Sequence, residues 1–381
     1  MKSDVSTNSV ICLHPVLEER GKVKGADDAY RVSLKDCLAC SGCAITEDDL
    51  NLLAHQDPTK VLENIREHPN FSALISTASL SNLAASRGWS IQKAFSAMSS
   101  FLTSLGASYV THDGLWQMVW RYLLIDFYKE NEKSIQKPLI ISRCAGAVMF
   151  FERKTKYANL LAQFKPFPQL FALYQKHLSK NPSSFVMNVA PCYDRKLETG
   201  RFPGDVDAAM AVGEIDNMIN DTHASSEPDE SHISVPPFAP DNDALFMLKV
   251  LAKDSGIADE ITIKESGNTI EYHCGNICSA FICGEAALRR LCANIDRNKC
   301  RFDIVEADLC PNACMAGGGL IRADTPSKRR ELVSNTISLH KDFETYDIDE
   351  KEILSIVQQL KQQDISAKYA SEPPKKDDFT F

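Results

Sequence analysis

Three cysteines at two-residue spacing constrain this chain more than any other feature. Cys37, Cys40 and Cys43 are separated by residues that include Ala39 and Gly42. A C-x2-C-x2-C run begins the bacterial ferredoxin signature, in which Cys thiolates hold the iron of a cluster. Small residues let such a loop wrap closely around a bound group. The run predicts an iron-sulfur cluster. Zinc is the alternative, although structural zinc usually takes its cysteines as two separated pairs, and incidental thiols are a third reading.

The fourth ligand of this cluster must come from elsewhere. Ala44 follows Cys43, and the fourth cysteine of the ferredoxin signature is absent. Cys12 is the only other cysteine before Cys144, and residues 21–29 are polar enough to loop back. We therefore predict Cys12 as the fourth ligand. The alternative is a buried apolar thiol, which free cysteines often are.

Composition favours a globular protein of a reducing compartment. With 381 residues and 44% hydrophobic content, the chain can form two or three packed domains. Thirteen cysteines and an N-terminus without a signal-like apolar stretch favour the cytoplasm over secretion. The net charge of -9 argues against nucleic acid as a partner. The apolar run at 139–151 contains Arg143 and is too short to cross a bilayer, so no membrane role is expected.

Apolar runs alternate with helical periodicity, which predicts an α/β protein. The predicted strands are 71–76, 108–111, 139–142, 185–190, 261–264 and 302–305. The predicted helices are 91–105, 115–127, 149–177 with breaks at its prolines, 284–293 and 341–361. The predicted domains are a cluster-binding segment at 1–66, a first α/β lobe at 67–220, a polar, proline-rich linker or surface insertion at 221–245, a second lobe with a terminal helix at 246–365, and a flexible tail at 366–381.

A second set of four cysteines is spread along the chain: Cys144, Cys192, Cys310 and Cys314. The first three end or follow predicted strands, and ligands in α/β sheets bind beyond the carboxyl ends of strands. Four thiolates suffice for a second iron-sulfur cube. The glycines at 317–319 would let the backbone approach it. Ordinary core packing is the alternative for any one of these cysteines.

The segments around these cysteines, in this order and behind the three-cysteine loop, resemble the iron-only hydrogenase superfamily. Residues 191–198, and 205–207 leading to 213–215, resemble more closely its eukaryotic non-hydrogenase branch, the nuclear prelamin A recognition factor-like proteins of cytosolic iron-sulfur assembly. The similarity covers most of residues 10–340. It implies an iron-only hydrogenase-like, two-lobed α/β fold with a small N-terminal ferredoxin-like cluster-binding segment.

The resemblance also implies cofactors and a role. It maps a first 4Fe-4S cluster onto Cys12, Cys37, Cys40 and Cys43, and a second onto Cys144, Cys192, Cys310 and Cys314. The implied role is an adaptor or carrier, not an enzyme, between early cytosolic cluster synthesis and the targeting complex that serves cytosolic and nuclear apoproteins. The sequence departs from the family pattern at Ala145, Ala190 and Ala316. None of these departures removes a ligand, so the resemblance is to a divergent, short member of the family.

A true hydrogenase is the first alternative. Hydrogenases relay protons through a thiol just before the first cleft cysteine, and a lysine three residues after the second supports the diiron subsite. Arg143 and Arg195 stand at these two positions. Because arginine stays protonated and cannot cycle a proton as a thiol can, hydrogen chemistry is not expected. Serine-hydrolase elbows, phosphate-binding P-loops and H-E-x-x-H zinc motifs are also absent from the sequence.

A zinc-organised interaction module is the second alternative, supported by five further cysteines: Cys274, Cys278, Cys283, Cys292 and Cys300. Cys274 and Cys278 would share a face if they were helical. Largely apolar residues separate them, however, so buried thiols that face the core are the preferred interpretation.

Two charged features remain. Asp194, Arg195, Lys196 and Glu198 are interpreted as a solvated helix start, with a docking patch as the alternative. The tail ends in Phe381 behind two aspartates. Proteins served by the cytosolic targeting machinery often end in an aromatic residue near an acidic one, so this tail is a candidate docking signal for that complex. A disordered end is the alternative. Apo iron-sulfur proteins are expected to be indirect partners only.

Overall fold

The computed structural model describes residues 23–24, 30–31, 47–68, 70–219, 242–257, 260–341 and 350–371. The chain divides into two compact units of three segments each. Unit 1 comprises Met1–Asp113, Phe171–Val235 and Cys314–Tyr346, and unit 2 comprises Gly114–Leu170, Pro236–Ala313 and Asp347–Phe381. The consecutive lobes predicted from the sequence stay a prediction; composition marks polar linkers but does not reveal which distant strands pair.

Strands and helices alternate through most of the described chain, which confirms the predicted α/β class. The strands are β1 (Val23–Lys24), β2 (Tyr30–Arg31), β3 (Phe71–Ile75), β4 (Ala107–His112), β5 (Leu139–Ile141), β6 (Val186–Ala190), β7 (Ala208–Ala211), β8 (Thr262–Ser266), β9 (Thr269–Cys274), β10 (Ile277–Cys283), β11 (Ile304–Asp308) and β12 (Pro311–Cys314). The helices are α1 (Glu47–His55), α2 (Pro58–Glu67), α3 (Thr77–Arg87), α4 (Ile91–Ser104), α5 (Gly114–Asn131), α6 (Ala145–Lys154), α7 (Phe167–His177), α8 (Asp194–Arg201), α9 (Val212–Ile215), α10 (Asp243–Asp254), α11 (Glu285–Asp296), α12 (Pro326–Lys341) and α13 (Glu350–Leu360).

Unit 1 is organised around a four-stranded sheet in the order β4-β3-β6-β7. All three strand pairs are parallel. Every residue of β3 and β6 is buried, as expected for parallel strands that are covered on both faces. Because the strands are parallel, their carboxyl ends lie at one edge of the sheet, and the turn after β6 carries Cys192.

Unit 2 contains a five-stranded mixed sheet in the order β5-β11-β10-β9-β8. β5, β11 and β10 run parallel, while β10, β9 and β8 form an antiparallel meander. Helix α10 covers one face, where Ala244 and Leu248 join Tyr272 and Cys274 in a buried apolar cluster. The carboxyl ends of the neighbouring strands β5 and β11 lead to Cys144 and Cys310.

Several predicted segments need correction. Of the predicted helix at 341–361, the structure describes Lys341 as the last residue of α12 and residues 350–360 as α13, whereas residues 342–349 lie outside the described residues. Residues 242–245 of the predicted linker belong to α10 and its cap, where the Asn242 side chain accepts a hydrogen bond from the Leu245 amide at 2.9 Å. Most of that linker lies outside the described residues. The β9–β10 hairpin was not predicted, because its apolar and polar residues do not alternate strictly.

The segment predicted to begin the tail is hydrogen-bonded within unit 2. Ser366 bridges Phe164 in antiparallel fashion, and the Ala367 amide donates to the Gln163 carbonyl at 3.1 Å. Residues 372–381, which include the predicted docking signal, lie outside the described residues. Among the helices that the structure describes, none is long and apolar enough to cross a membrane.

Candidate metal centre

The four cysteines predicted to hold the first cluster lie outside the described residues: Cys12, Cys37, Cys40 and Cys43. That site therefore stays a prediction. The described chain resumes at Glu47 with α1, which belongs to unit 1.

In unit 1 the turn that carries Cys192 is held against the glycine loop that follows Cys314. The Gly319 amide donates to the Pro191 carbonyl at 3.0 Å, and the Gly213 amide donates to the Gly319 carbonyl at 2.9 Å. These two bonds link the ends of β6 and β7 to the glycine loop. Cys192 and Cys314, which lie far apart in sequence, thus belong to one local structure.

This contact requires glycine. A Cβ on Gly317 would lie 2.2 Å from the Pro191 carbonyl oxygen. A Cβ on Gly319 would lie 2.6 Å from the Ala211 Cβ and 3.2 Å from the Cys192 Cα. Since real Cβ atoms do not approach other atoms so closely, the backbone itself frames the two thiols. Close backbone approach beside two cysteine thiols suits a bound cluster, so the residues present fit the group that the sequence predicts.

Electrostatics around Cys192 bear on metal loading. Desolvation raises the pKa of the Cys192 thiol well above its ordinary value, the Asp194 carboxylate raises it further, and the Arg195 guanidinium opposes the rise. Cys314 also raises the Cys192 pKa, which shows that the two sulfurs are close enough to interact. Without metal the thiol therefore holds its proton. Metal binding requires the thiolate and releases that proton.

The charged residues after Cys192 are not a solvated helix start, and that interpretation is wrong. Arg195 is 6% exposed, Lys196 1% and Glu198 5%. Arg195 pairs with Glu198 at 2.6 Å. Lys196 Nζ lies 2.7 Å from Glu214 Oε1 and donates to the Gln56 carbonyl at 2.7 Å. The sequence could not predict this burial, because the charges form ion pairs inside unit 1, where helix α8 packs on α1 and β7.

In unit 2, Cys144 and Cys310 follow neighbouring parallel strands. Glu306 of β11 stands opposite Ile141 of β5. Cys144 is the N-cap of α6, and its sulfur accepts a hydrogen bond from the Ala147 amide at 3.4 Å. A helix N-terminus favours negative charge, so this position suits a thiolate. Cys310 begins the turn in which the Ala313 amide donates to the Cys310 carbonyl at 3.1 Å.

The zinc module predicted as an alternative is not assembled. Cys274 and Cys278 lie on the β9–β10 hairpin rather than on a helix. Cys274 packs with Tyr272 in the cluster under α10, whereas Cys278 is the cross-strand partner of His273 and points to the opposite face. Among the described residues, no three His, Cys, Asp or Glu side chains converge as for a single metal ion.

Sequence reasoning missed a group of buried charges next to Cys144. Arg121 and Arg143 both contact Asp243, at 2.7 and 2.5 Å. Glu306 lies 3.6 Å from Arg143. One signal was visible: Glu306 stands between the apolar residues Val305 and Ala307 of β11, a strand whose residues are all buried. Asp243 gave no signal, because it lay inside the predicted linker.

The chain is similar to one known protein family and to several named proteins. The family described as the iron-only hydrogenase large subunit, C-terminal domain, matches residues 70–318. A probable cytosolic Fe-S cluster assembly factor of Brugia malayi is 26% identical over 88% of this chain and 85% of its own length. The cytosolic Fe-S cluster assembly factor of Xenopus tropicalis is 23% identical over 84% of this chain and 78% of its own length.

Solved structures agree on the fold. The FeFe-hydrogenase of Chlamydomonas reinhardtii superposes with a TM-score of 0.62 at 13% identity, over 86% of this chain and 99% of that chain. At this identity the likeness establishes the fold alone, and it confirms the predicted hydrogenase-like fold class. The family match covers well over half of the chain. The chain therefore belongs to the iron-only hydrogenase family, through the C-terminal domain of its large subunit.

Proposed function

We propose that this chain is a cytosolic iron-sulfur cluster assembly factor that holds two 4Fe-4S clusters and acts as an adaptor or carrier. The observation that carries the proposal is the glycine-framed contact between the Cys192 turn and the loop after Cys314. The names of the relatives from Brugia malayi and Xenopus tropicalis support the cytosolic assembly role over most of the chain.

The proposed ligands of the second cluster are Cys144, Cys192, Cys310 and Cys314. Three of these thiols lie just beyond the carboxyl ends of parallel strands. The proposed ligands of the first cluster are Cys12, Cys37, Cys40 and Cys43, on the ferredoxin-like spacing of the last three. A bound 4Fe-4S cluster supplies one-electron redox chemistry. The chain would supply the thiolates, and its glycines let the loop after Cys314 pack closely against the Cys192 turn.

Metal analysis tests the cofactors. The protein is purified anaerobically, and iron, acid-labile sulfide and zinc are measured in the wild type and in Cys37→Ala, Cys192→Ala and Cys292→Ala variants. Two cubes predict about eight irons and eight sulfides, falling by about half in each of the first two variants. Cys292→Ala is the matched control, because this cysteine of α11 belongs to neither set, and it should change nothing. Zinc without sulfide would contradict the proposal.

Hydrogenase activity is the second candidate, because the fold is shared with FeFe-hydrogenases. The arginines at the two diagnostic positions argue against it. Arg195 is paired with Glu198, and Arg143 is paired with Asp243, so neither side chain can relay a proton. Hydrogen evolution from reduced viologen should be absent from the iron-loaded protein, and a robust rate would overturn the assignment as a non-enzyme.

The proposed partner is the cytosolic targeting complex, contacted through the tail that ends in Phe381. The support is the aromatic end behind Asp377 and Asp378. Deletion of residues 379–381 should weaken pull-down of the complex without a change in iron content, and Lys375→Ala serves as a control within the same tail. Undiminished binding after the deletion would end this part of the proposal.

A further inference from the structure

Four ionisable side chains meet beside Cys144 inside unit 2. They are Arg121 on α5, Arg143 after β5, Asp243 at the start of α10 and Glu306 on β11. The Arg121 and Asp243 side chains are 2% and 1% exposed, and those of Arg143 and Glu306 are 18% and 4% exposed. The cluster therefore lies almost entirely out of water.

Arg143 is the member that joins the most elements. Its Nε lies 2.5 Å from Asp243 Oδ2, and its Nη2 lies 3.6 Å from Glu306 Oε1. Its Nη1 donates to the Gln117 side chain of α5. One guanidinium thus lies beside carboxylates of a helix start and of a neighbouring strand and donates a hydrogen bond to a second helix, as the planar fork of arginine allows.

The acceptors are themselves held in place. Asp243 Oδ1 lies 2.7 Å from Arg121 Nε, and Glu306 Oε2 accepts a hydrogen bond from the Ala244 amide at 3.0 Å. The Arg121 guanidinium also lies over the Phe246 ring, at 5.0 Å. Each carboxylate therefore has a second contact that fixes its orientation toward Arg143.

Stability alone does not explain this arrangement. Buried ion pairs cost much of their attraction in desolvation, and well-packed apolar residues often serve stability as well or better. What charges add is a defined geometry. The geometry defined here is that of the chain between β5 and α6, where Ser142 donates to the Ala307 carbonyl at 2.7 Å and the Cys144 amide donates to Ser142 Oγ at 3.1 Å.

We propose that Arg143 is a positioning residue for metal binding: by linking the end of β5 to β11 and α10, it sets the place of the Cys144 sulfur relative to the turn that carries Cys310. This inference rests on the proposed function, because it takes Cys144 and Cys310 as ligands. Arg143 acts through the backbone that carries Cys144.

The test uses the full chain in a Cys37→Ala background, so that only the second site holds iron. Arg143→Gln, Arg143→Lys and Cys144→Ala are loaded with iron and sulfide anaerobically, and the rate of iron loss to a chelator and the electron paramagnetic resonance spectrum of the reduced cluster are recorded. Glu285→Gln is the matched control, because it removes an exposed ion pair with Arg289 in the same unit.

Groups that orient metal ligands typically change metal affinity 10- to 100-fold when they are removed. Arg143→Gln should therefore lose iron about 10 to 100 times faster than the background, with a shifted spectrum. Arg143→Lys, which keeps the charge but not the fork, should restore only part of the retention. Glu285→Gln should match the background in both measurements.

A stability effect is separated from positioning by a double variant. Arg143→Gln with Asp243→Asn removes opposite charges together, so the metal-free protein should melt closer to the background than Asp243→Asn alone, while iron loss stays fast. Normal iron retention and an unchanged spectrum in Arg143→Gln would overturn the inference. If Cys144→Ala also retained the cluster, the ligand set of the proposed function would fail instead.

Discussion

Replacement of Gly317 by alanine tests whether the glycine loop must touch the Cys192 turn. The new Cβ would lie 2.2 Å from the Pro191 carbonyl oxygen and 2.9 Å from its carbonyl carbon. Both atoms belong to the backbone, so no side chain can rotate away. Non-bonded atoms settle at about 3.5 Å, so the loop would have to move by roughly 1 Å.

The structure indicates what such a movement would cost. The loop is tied to the turn by the Gly319 amide, which donates to Pro191 at 3.0 Å, and to α9 by the Gly213 amide at 2.9 Å. Overpacking costs about 1–3 kcal/mol, and each weakened hydrogen bond costs about 1 kcal/mol. Together these effects predict that Gly317→Ala lowers the free energy of unfolding by about 3–5 kcal/mol.

Urea unfolding of the metal-free protein measures this loss, and iron analysis measures the accompanying loss at the second site. Gly88→Ala is the matched control, because its Cβ would meet nothing within 4 Å and only its φ of 64° is unfavourable. That variant should lose about 1 kcal/mol and keep its iron. If Gly317→Ala were as stable as Gly88→Ala and fully loaded, the glycine loop would not be held against the Cys192 turn, and the reasoning would be refuted.

Three further predictions concern buried groups. Lys196→Met removes the buried partner of Glu214 and should cost about 3–5 kcal/mol, whereas Lys129→Met, which breaks an exposed pair, should cost less than about 1 kcal/mol in the same urea assay. Burial raises the pKa of Glu306, and the neighbouring Asp243 carboxylate raises it further, so the folded state keeps this proton to a higher pH than the unfolded chain does and the free energy of unfolding falls as pH rises from the unfolded to the folded pKa. Glu306→Gln cannot titrate, and the difference in unfolding free energy between wild type and variant should change by about 1.4 kcal/mol per unit of pKa shift; a constant difference from pH 5 to pH 8 would contradict this. Joint replacement of the hairpin cysteines Cys274, Cys278 and Cys283 by Ala and Ser should leave bound metal near its original level. A marked loss of metal would support a zinc role for them.

Arg143 and Arg195, which the sequence comparison set against the thiol and the lysine of hydrogenases, have similar surroundings. Arg143 and Arg195 each lie beside a proposed ligand and each neutralises a buried carboxylate. A thiol or lysine at the same position could exchange a proton, whereas a guanidinium that is held in an ion pair cannot. Fixed positive charges therefore lie beside two of the proposed ligands in this chain, Cys144 and Cys192.

The sequence by itself determined the features that depend on local spacing. The C-x2-C-x2-C run, the cysteines just beyond strands and the alternation of strands with helices are all readable from short windows. The strands that lead to Cys144, Cys192 and Cys310 lie where the apolar runs predicted them. Local patterns succeed because backbone hydrogen bonding within a helix, and the pleat of a strand, impose their period on neighbouring residues.

The tertiary structure alone decided which distant residues meet. Arg143 finds Asp243 and Glu306 only because β5 lies beside β11 and α10 covers the same sheet. Lys196 became a core residue for the same reason, since Gln56 and Glu214 supply its partners from other elements. A charge is buried or solvated according to the partners that folding brings to it. Those partners are set by strand order and helix packing, which no local window of the sequence contains.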